Sequence, residues 1–259
     1  MDLELQTQIS RSHRRALPLA GLLLVLGVYG AVAAELPGLP SRLDLTVIAL
    51  LLLPAFFAVV WLALPLARVR APFLVGGAVL AGLVAIGLEV VGFDSAANVS
   101  KFACFVLFGL WLASFFEEAW WVGLVAALVP WVDIWSVAVG PTRYVVEERP
   151  GFFEEISVGF AIPGEHGTVN LGPPDVIFFT LFLASALLFR LRVGWTWIAM
   201  TGFLAVTLVL VWEWDVAGLP ALPAVCFGFL VPNADLLWRD FRNQWLTRRE
   251  AARDNTEAK

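Results

Sequence analysis

The sequence is poor in charged residues. Of its 259 residues, 15% are charged and 60% are hydrophobic, whereas soluble domains usually carry about 25% charged residues. The mean hydropathy is +0.82. This composition excludes an ordinary soluble globular domain. The formal net charge of −5 also argues against a nucleic-acid partner, because such proteins present a basic surface to the phosphate backbone.

Cysteine and histidine are also scarce, with two of each. Cys104 and Cys226 lie in apolar stretches and form no CxxC pair, which excludes a disulfide framework and a cysteine metal site. His13 and His166 fall outside the apolar stretches, so a Ser–His pair at membrane depth is excluded. The HExxH pattern of membrane zinc proteases is absent from the sequence. The sequence therefore predicts neither a metal nor a cofactor.

Long apolar stretches are what the chain has in abundance. A helix needs about 20 mostly apolar residues to cross a bilayer, and about eight stretches fit this requirement. They lie near residues 16–34, 44–68, 72–92, 99–116, 119–140, 175–192, 194–212 and 219–237. We therefore expect an all-α polytopic membrane protein with about eight transmembrane helices, in contact with the lipid bilayer.

The distribution of basic residues predicts the orientation of these helices. Cytoplasmic loops carry an excess of Lys and Arg, and with the N-terminus inside, 13 of the 17 basic residues fall in inside segments. We therefore expect both termini to lie in the cytoplasm. The composition, which is rich in Arg and poor in Lys, indicates a prokaryotic protein of the cytoplasmic membrane. Residues 1–34 also fit a cleaved signal peptide, but their apolar run of about 18 residues is longer than a typical signal core. We therefore count this segment as a span.

One sizeable loop, at about 141–174, lies between the fifth and sixth predicted spans. It contains glycine, proline and several acidic residues, together with alternating apolar stretches such as Ile156–Phe160. This pattern fits a short β-hairpin over the membrane surface. It fits an irregular connector equally well.

Two aspartates stand out because a charge in the hydrocarbon costs about 2.5–3.5 kcal/mol on insertion scales. Asp133 lies inside the fifth predicted span. Its ordinary interpretation is a carboxyl group that faces the bundle and bonds a neighbouring hydroxyl. Asp175 follows Gly172–Pro173–Pro174 and opens the sixth span, where an aspartate is often a helix cap. Both aspartates are candidates for a function within the membrane.

Three segments near these aspartates occur in a characteristic order. The first begins at Asp133 and continues, after two residues, as SVAVGPTRYVVE; the second, at 169–178, is VNLGPPDVIF; the third, at 218–223, is GLPALP. They resemble the D…V…GPxR…VE, VxLGxGDxIF and PALP motifs of the presenilin and signal peptide peptidase family of intramembrane aspartyl proteases. The resemblance covers roughly residues 120–240.

The resemblance implies that Asp133 and Asp175 form a catalytic pair that activates water and cleaves transmembrane protein or peptide substrates. It implies no metal, no cofactor and no obligate subunit. The strand at Thr168–Leu171 would offer its edge to an unwound substrate. The residues implied to bind substrate or shape the active site are Val169, Leu171, Gly172, Pro173, Pro174, Pro220, Ala221 and Leu222.

The same resemblance divides the chain into three parts. They are N-terminal transmembrane helices at 1–118, a catalytic-type core at 119–240 that contains the loop 141–174, and a polar C-terminal tail at 241–259.

The chain also differs from the family pattern. Pro174 stands where GxGD has glycine, Val132 replaces an aromatic residue, and five predicted spans rather than six reach Asp133. These differences leave open a catalytically inactive presenilin-like membrane protein that acts as a scaffold or as an ion or proton pathway. For Pro220, an ordinary helix start with proline near the first turn also stays open.

Overall fold

A computed structural model describes residues 2–38, 40–140, 150–165, 168–214 and 220–257. Most of these residues are helical. A π-helical turn joins the second helix to the third, and short 3-10 turns follow the first and the third. The helices are α1 (Asp2–Val32), α2 (Ser41–Val47), α3 (Leu53–Ala63), α4 (Ala71–Val91), α5 (Asp94–Ala113), α6 (Ala119–Val139), α7 (Pro150–Ile156), α8 (Pro173–Leu188), α9 (Val193–Trp214) and α10 (Leu222–Glu257).

Six helical segments within the described residues are long and apolar enough to cross a membrane. Each corresponds to one of the predicted spans, and many of their large apolar side chains are exposed, as lipid contact requires. The protein is therefore an all-α, multi-pass membrane protein, as predicted. The six segments are Ala16–Glu35, Arg42–Arg68, Ala71–Val91, Asp94–Ala113, Ala119–Val139 and Val193–Trp214.

The two remaining predicted spans have a different character. The stretch predicted at 175–192 is α8, which has 16 residues. Its length of about 24 Å is less than the roughly 30 Å of a hydrocarbon core. The stretch predicted at 219–237 is the first part of α10, which continues as one helix of 36 residues into the polar C-terminal segment. The count of eight spans stays a prediction.

Helix α8 lies at the centre of the bundle, in contact with α5, α6, α9 and α10. Every side chain from 179 to 186 is buried, because a helix that is apolar on all sides must be surrounded by other elements. Phe179 stacks on Phe57 of α3 with ring centroids 3.8 Å apart. Phe182 stacks on Phe229 of α10 at 4.9 Å. The helix that begins with the Asp175 segment is therefore held on several sides.

Two glycines permit close contacts between helices. A Cβ atom at Gly109 of α5 would lie 2.6 Å from the carbonyl oxygen of Ile177 and 2.7 Å from Cβ of Thr180, both in α8. A Cβ atom at Gly228 of α10 would lie 2.6 Å from the backbone nitrogen of Met200 in α9. Small residues allow transmembrane helices to approach this closely. These contacts fix α8 against α5 and α10 against α9.

The loop contains the β-hairpin, the first of the two alternatives that the sequence left open. Strand β1 (Val158–Ala161) pairs antiparallel with β2 (Thr168–Leu171), and Gly159 lies opposite Asn170. Phe160 is buried against the bundle. Because β2 leads directly into α8, the hairpin lies at the end of the bundle where α8 begins.

Helix α5 begins at Asp94 rather than at the predicted 99. Its first turns are polar because they contact other polar groups at this end of the bundle. Nζ of Lys101 lies 2.8 Å from Oε1 of Glu89 in α4 and donates to the carbonyl oxygen of Glu155 at 2.8 Å. The polar residues from Asp94 to 98, which the sequence placed before the span, therefore belong to helix α5.

Candidate functional site

Asp133 lies in the last third of α6 and contacts the start of α10. Its Oδ2 accepts a hydrogen bond from the backbone N–H of Leu222 at 3.1 Å. Leu222 is the first residue of α10, so its N–H has no partner within that helix. A negative charge at a helix N-terminus is favourable. Asp133 thus caps α10 from a neighbouring helix. Among the described residues no hydroxyl group, the partner of the ordinary interpretation, hydrogen-bonds its carboxyl group.

Asp175 is the third residue of α8 and folds back onto the residue before the helix. Its Oδ2 accepts a hydrogen bond from the backbone N–H of Gly172 at 3.2 Å, and its own N–H donates to the Gly172 carbonyl oxygen at 3.1 Å. This is the cap that the sequence suggested as the ordinary interpretation. It uses one carboxyl oxygen, and Oδ1 has no hydrogen-bond partner among the described residues.

The structure brings the two aspartates together. Their carboxyl groups lie close enough for their charges to interact, and α6 contacts α8 directly. The buried thiol of Cys226, one turn after Leu222 in α10, lies close enough to interact with both carboxyl groups. Helices α6, α8 and α10 therefore converge on one cluster of two carboxyl groups and a thiol.

The proline segment forms the start of α10. The carbonyl oxygen of Ala221 accepts hydrogen bonds from the backbone N–H groups of Ala224 and Val225 at 3.1 and 3.3 Å, as the residue before a helix does. Pro220 lies just before, half-buried. Leu222 is buried and provides the contact with Asp133. The segment is thus both a helix start and a neighbour of the first aspartate.

The segment before Asp175 forms a strand and a helix start. Val169 and Leu171 belong to β2. Gly172 precedes α8, and Pro173 and Pro174 are its first two residues. Proline is tolerated there because the first N–H groups of a helix have no internal partner. Pro174 therefore fits the local backbone. Residues 141–149 and 218–219 of the other two motifs lie outside the described residues.

Three side chains at this end of the molecule were missed by the sequence reasoning. Cys226 follows Leu222 by four residues, and this helical spacing was a usable signal. Asn98 and Tyr29 hydrogen-bond the backbone of β1, but both are far from the hairpin in sequence and nothing local indicated their partners.

A cavity of about 510 Å³ lies on the polar face of the hairpin, between α1, α5 and α7. Its lining includes Tyr29, Asn98, Lys101, Glu155 and Asn170 but neither aspartate of the pair. Among the described residues, no group of three or more His, Cys, Asp or Glu side chains is placed to hold a metal ion. In comparisons with known proteins, no family model, no curated protein and no solved structure matches the chain.

Proposed function

We propose that the protein is an intramembrane aspartyl protease that hydrolyses peptide bonds of transmembrane helical substrates. The observation that carries the proposal is the convergence of the three resembling segments at one place. Asp133 and Asp175 interact through their charges, and the proline segment touches Asp133 through the Leu222 N–H. A chance resemblance gives no reason for the described parts of these segments to meet, so their meeting supports the proposal.

The chemistry requires only the two carboxyl groups and water. Two neighbouring carboxyl groups whose charges interact do not both ionise readily, so in the proposed mechanism they share one proton. The ionised group accepts a proton from water, whose oxygen attacks the scissile carbonyl carbon. The protonated group donates a hydrogen bond to the developing oxyanion, and the C–N bond then breaks as the departing nitrogen is protonated. No covalent intermediate forms.

Backbone N–H groups orient this pair. The Leu222 N–H holds one oxygen of Asp133, and the Gly172 N–H holds one oxygen of Asp175. The second oxygen of each carboxyl group has no hydrogen-bond partner among the described residues, so it is available for water or the shared proton. Fixing a reacting group before substrate binds lowers the barrier by reducing the reorganisation needed.

A helical substrate must unwind locally, because its scissile bond is enclosed by backbone hydrogen bonds. Strand β2 ends at Leu171, just before Gly172 and the start of α8. A substrate segment added to β2 as a further strand would be led along the edge toward Asp175. This supports substrate binding through Val169, Leu171 and the residues that follow.

We also propose eight spans with both termini in the cytoplasm of a prokaryote. Helix α8 is short, but protein surrounds it, so its length need not match the bilayer. The apolar first part of α10 crosses beside it. In this arrangement the hairpin lies on the outer side, and the aspartates lie below the outer surface of the membrane.

The test is cleavage of a model transmembrane substrate by the purified protein in nanodiscs. We expect Asp133→Asn and Asp175→Asn each to lower kcat/KM by about 10²–10⁴-fold while thermal unfolding stays that of a folded protein. Asp94→Asn is the matched control, because Asp94 also lies in the first turn of a helix but does not belong to the pair. We expect this variant to cleave at the wild-type rate.

A wild type that cleaves none of these substrates would contradict the protease proposal, whether or not it binds a hydroxyethylene peptide isostere. It would favour the alternative, an inactive presenilin-like scaffold or ion pathway. Proton or ion flux into proteoliposomes, lost in the Asp133→Asn variant, would then identify the pathway.

A further inference from the structure

The β-hairpin has two outer edges, and side chains from the N-terminal helices close one of them. The side-chain amide of Asn98 in α5 forms two hydrogen bonds with the backbone of Gly159. Its Nδ2 donates to the carbonyl oxygen at 2.7 Å, and its Oδ1 accepts from the N–H at 2.9 Å. The Tyr29 hydroxyl in α1 donates to the Ala161 carbonyl oxygen at 2.9 Å. Asn98 thus occupies the place of a neighbouring strand.

The register of the hairpin shows which backbone groups point outward on the other edge. Opposite residues of an antiparallel pair alternate between those that bond each other and those whose N–H and C=O point away. Because Gly159 directs both groups to Asn98, its pairing with Asn170 is of the second kind. The N–H and C=O of Asn170 therefore point outward from β2. The same holds for Thr168, which lies opposite Ala161.

The outer edge of β2 is open within the described structure. No described residue hydrogen-bonds the outward N–H and C=O groups of Thr168 and Asn170. Such an edge is a template for another strand. Only β2 is continuous with the aspartate segment, since it leads through Gly172 to Asp175, whereas β1 pairs with β2 and is preceded in the chain by α7.

We propose that Asn98 and Tyr29 are positioning residues that close the β1 edge and so direct an extended substrate to β2. The proposal rests on the proposed protease function. It gives a role in substrate selection to the part of the chain before residue 119, which the resemblance does not cover. Asparagine suits this role because its amide carries a donor and an acceptor side by side.

Backbone hydrogen exchange of the full-length protein in nanodiscs tests the closed edge without any substrate. We expect Asn98→Ala to raise exchange at Gly159 about tenfold, because the N–H loses its partner, with α8 unchanged. Ser95→Ala, one turn earlier in α5, should leave it unchanged. Unchanged exchange in Asn98→Ala overturns the proposal.

A hydroxyethylene peptide isostere tests which edge takes an extended chain. In the wild type it should protect the N–H groups of Thr168 and Asn170 and leave exchange at Gly159 as it was. In Asn98→Ala, protection should also reach Gly159 if the protein stays folded. If Asn98→Ala does not fold, Tyr29→Phe replaces it in this test, because this substitution removes only the hydroxyl group. In Tyr29→Phe we expect the isostere to protect the N–H of Ala161 as well. Protection confined to β2 in both variants overturns the proposal.

Cleavage kinetics separate a positioning role from a structural one. We expect Asn98→Ala to raise KM about tenfold, to change kcat less than twofold, and to cut at several neighbouring bonds, because substrate binds in more than one way. Asn98→Gln keeps the side-chain amide, so a larger share of its cleavage should occur at the wild-type bond than in Asn98→Ala. Unchanged KM and a single cut in Asn98→Ala contradict the proposal.

The two proposals fail separately. A wild type that binds the isostere along β2 but cleaves nothing contradicts the protease function and supports the edge assignment. A wild type that cleaves while the isostere protects Gly159 supports the protease function and contradicts the edge assignment.

Discussion

The two aspartates are positioned by different kinds of helix contact. Helix α6, which carries Asp133, is joined to the antiparallel α10 by hydrogen bonds near both ends. At one end the backbone N–H of Leu222 donates to Asp133. At the other end the backbone N–H of Trp120 donates to Oδ2 of Asp240 at 3.2 Å. Besides the packing between the two helices, the position of Asp133 therefore depends on polar contacts that can break and re-form.

Helix α8, which carries Asp175, is held instead by close packing. Gly109 of α5 lies against the backbone of Ile177. At the same contact Oγ1 of Thr180 is buried and has no hydrogen-bond partner among the residues that the structure describes. No hydrogen bond joins α5 to α8 in the described part of the chain. Substitutions at the contact between α5 and α8 should therefore affect folding, whereas substitutions at the contact between Asp133 and Leu222 should affect the proposed chemistry with the fold retained.

The largest effect is expected from Gly109→Val, which breaks the packed side of this comparison. A Cβ atom there would overlap the Ile177 carbonyl oxygen at 2.6 Å, and backbone does not move aside easily. We expect a loss of more than about 3 kcal/mol of stability, measured by thermal unfolding in detergent. Gly76→Val is the control, because Gly76 has open space around it. Equal stability of the two variants would show that packing does not hold α8.

A smaller effect is expected from Leu222→Pro, which removes the N–H donor to Asp133. A hydrogen bond to a charged group contributes about 1.5–3 kcal/mol, so kcat should fall roughly 10–100-fold with the helical content unchanged. Proline is tolerated at the first helical position. Leu222→Ala removes the side chain but keeps the N–H, and its kcat should fall much less. A similar loss in both variants would assign the effect to the side chain.

The smallest effect is expected from Asp240→Ala, at the far end of the same helix pair. Loss of a side-chain cap on the Trp120 N–H costs about 1 kcal/mol, seen as a lowered midpoint of thermal unfolding. Substrate cleavage should stay at the wild-type level, because Asp240 is distant from the pair along α10. A loss of cleavage comparable to that of Leu222→Pro would mean that the two ends of the helix pair do not act separately.

The apolar stretches predicted the membrane-spanning helices well because lipid exposure imposes a composition on each of them. The end of α8 was predicted less well, at 192 instead of Leu188. The helix stops where Arg190 adopts a left-handed φ of 56° and Arg192 binds Asp235 at 2.6 and 2.8 Å. That partner lies in α10, so the sequence near α8 contains no signal for it.

The candidate site was predictable where its residues belong to motifs and unpredictable where they do not. Asp133, Asp175 and Leu222 were named from the sequence, and the structure places them together. Asn98 was not, because it lies just before the span predicted at 99–116, where a polar residue looks like part of the boundary. Only the fold shows that its amide meets Gly159.

If the protein is the proposed protease, the β2 edge, which is open within the described structure, has a consequence for the choice of substrate. Its two outward residues, Thr168 and Asn170, offer at most their own N–H and C=O groups, each worth about 0.5–1.5 kcal/mol net. Main-chain groups carry no information about side-chain identity. A chain bound there would be selected by how little energy its helix loses on opening, and glycine or proline near the cut lowers that energy by about 1–3 kcal/mol. Such an enzyme would distinguish weak helices from strong ones rather than one sequence from another.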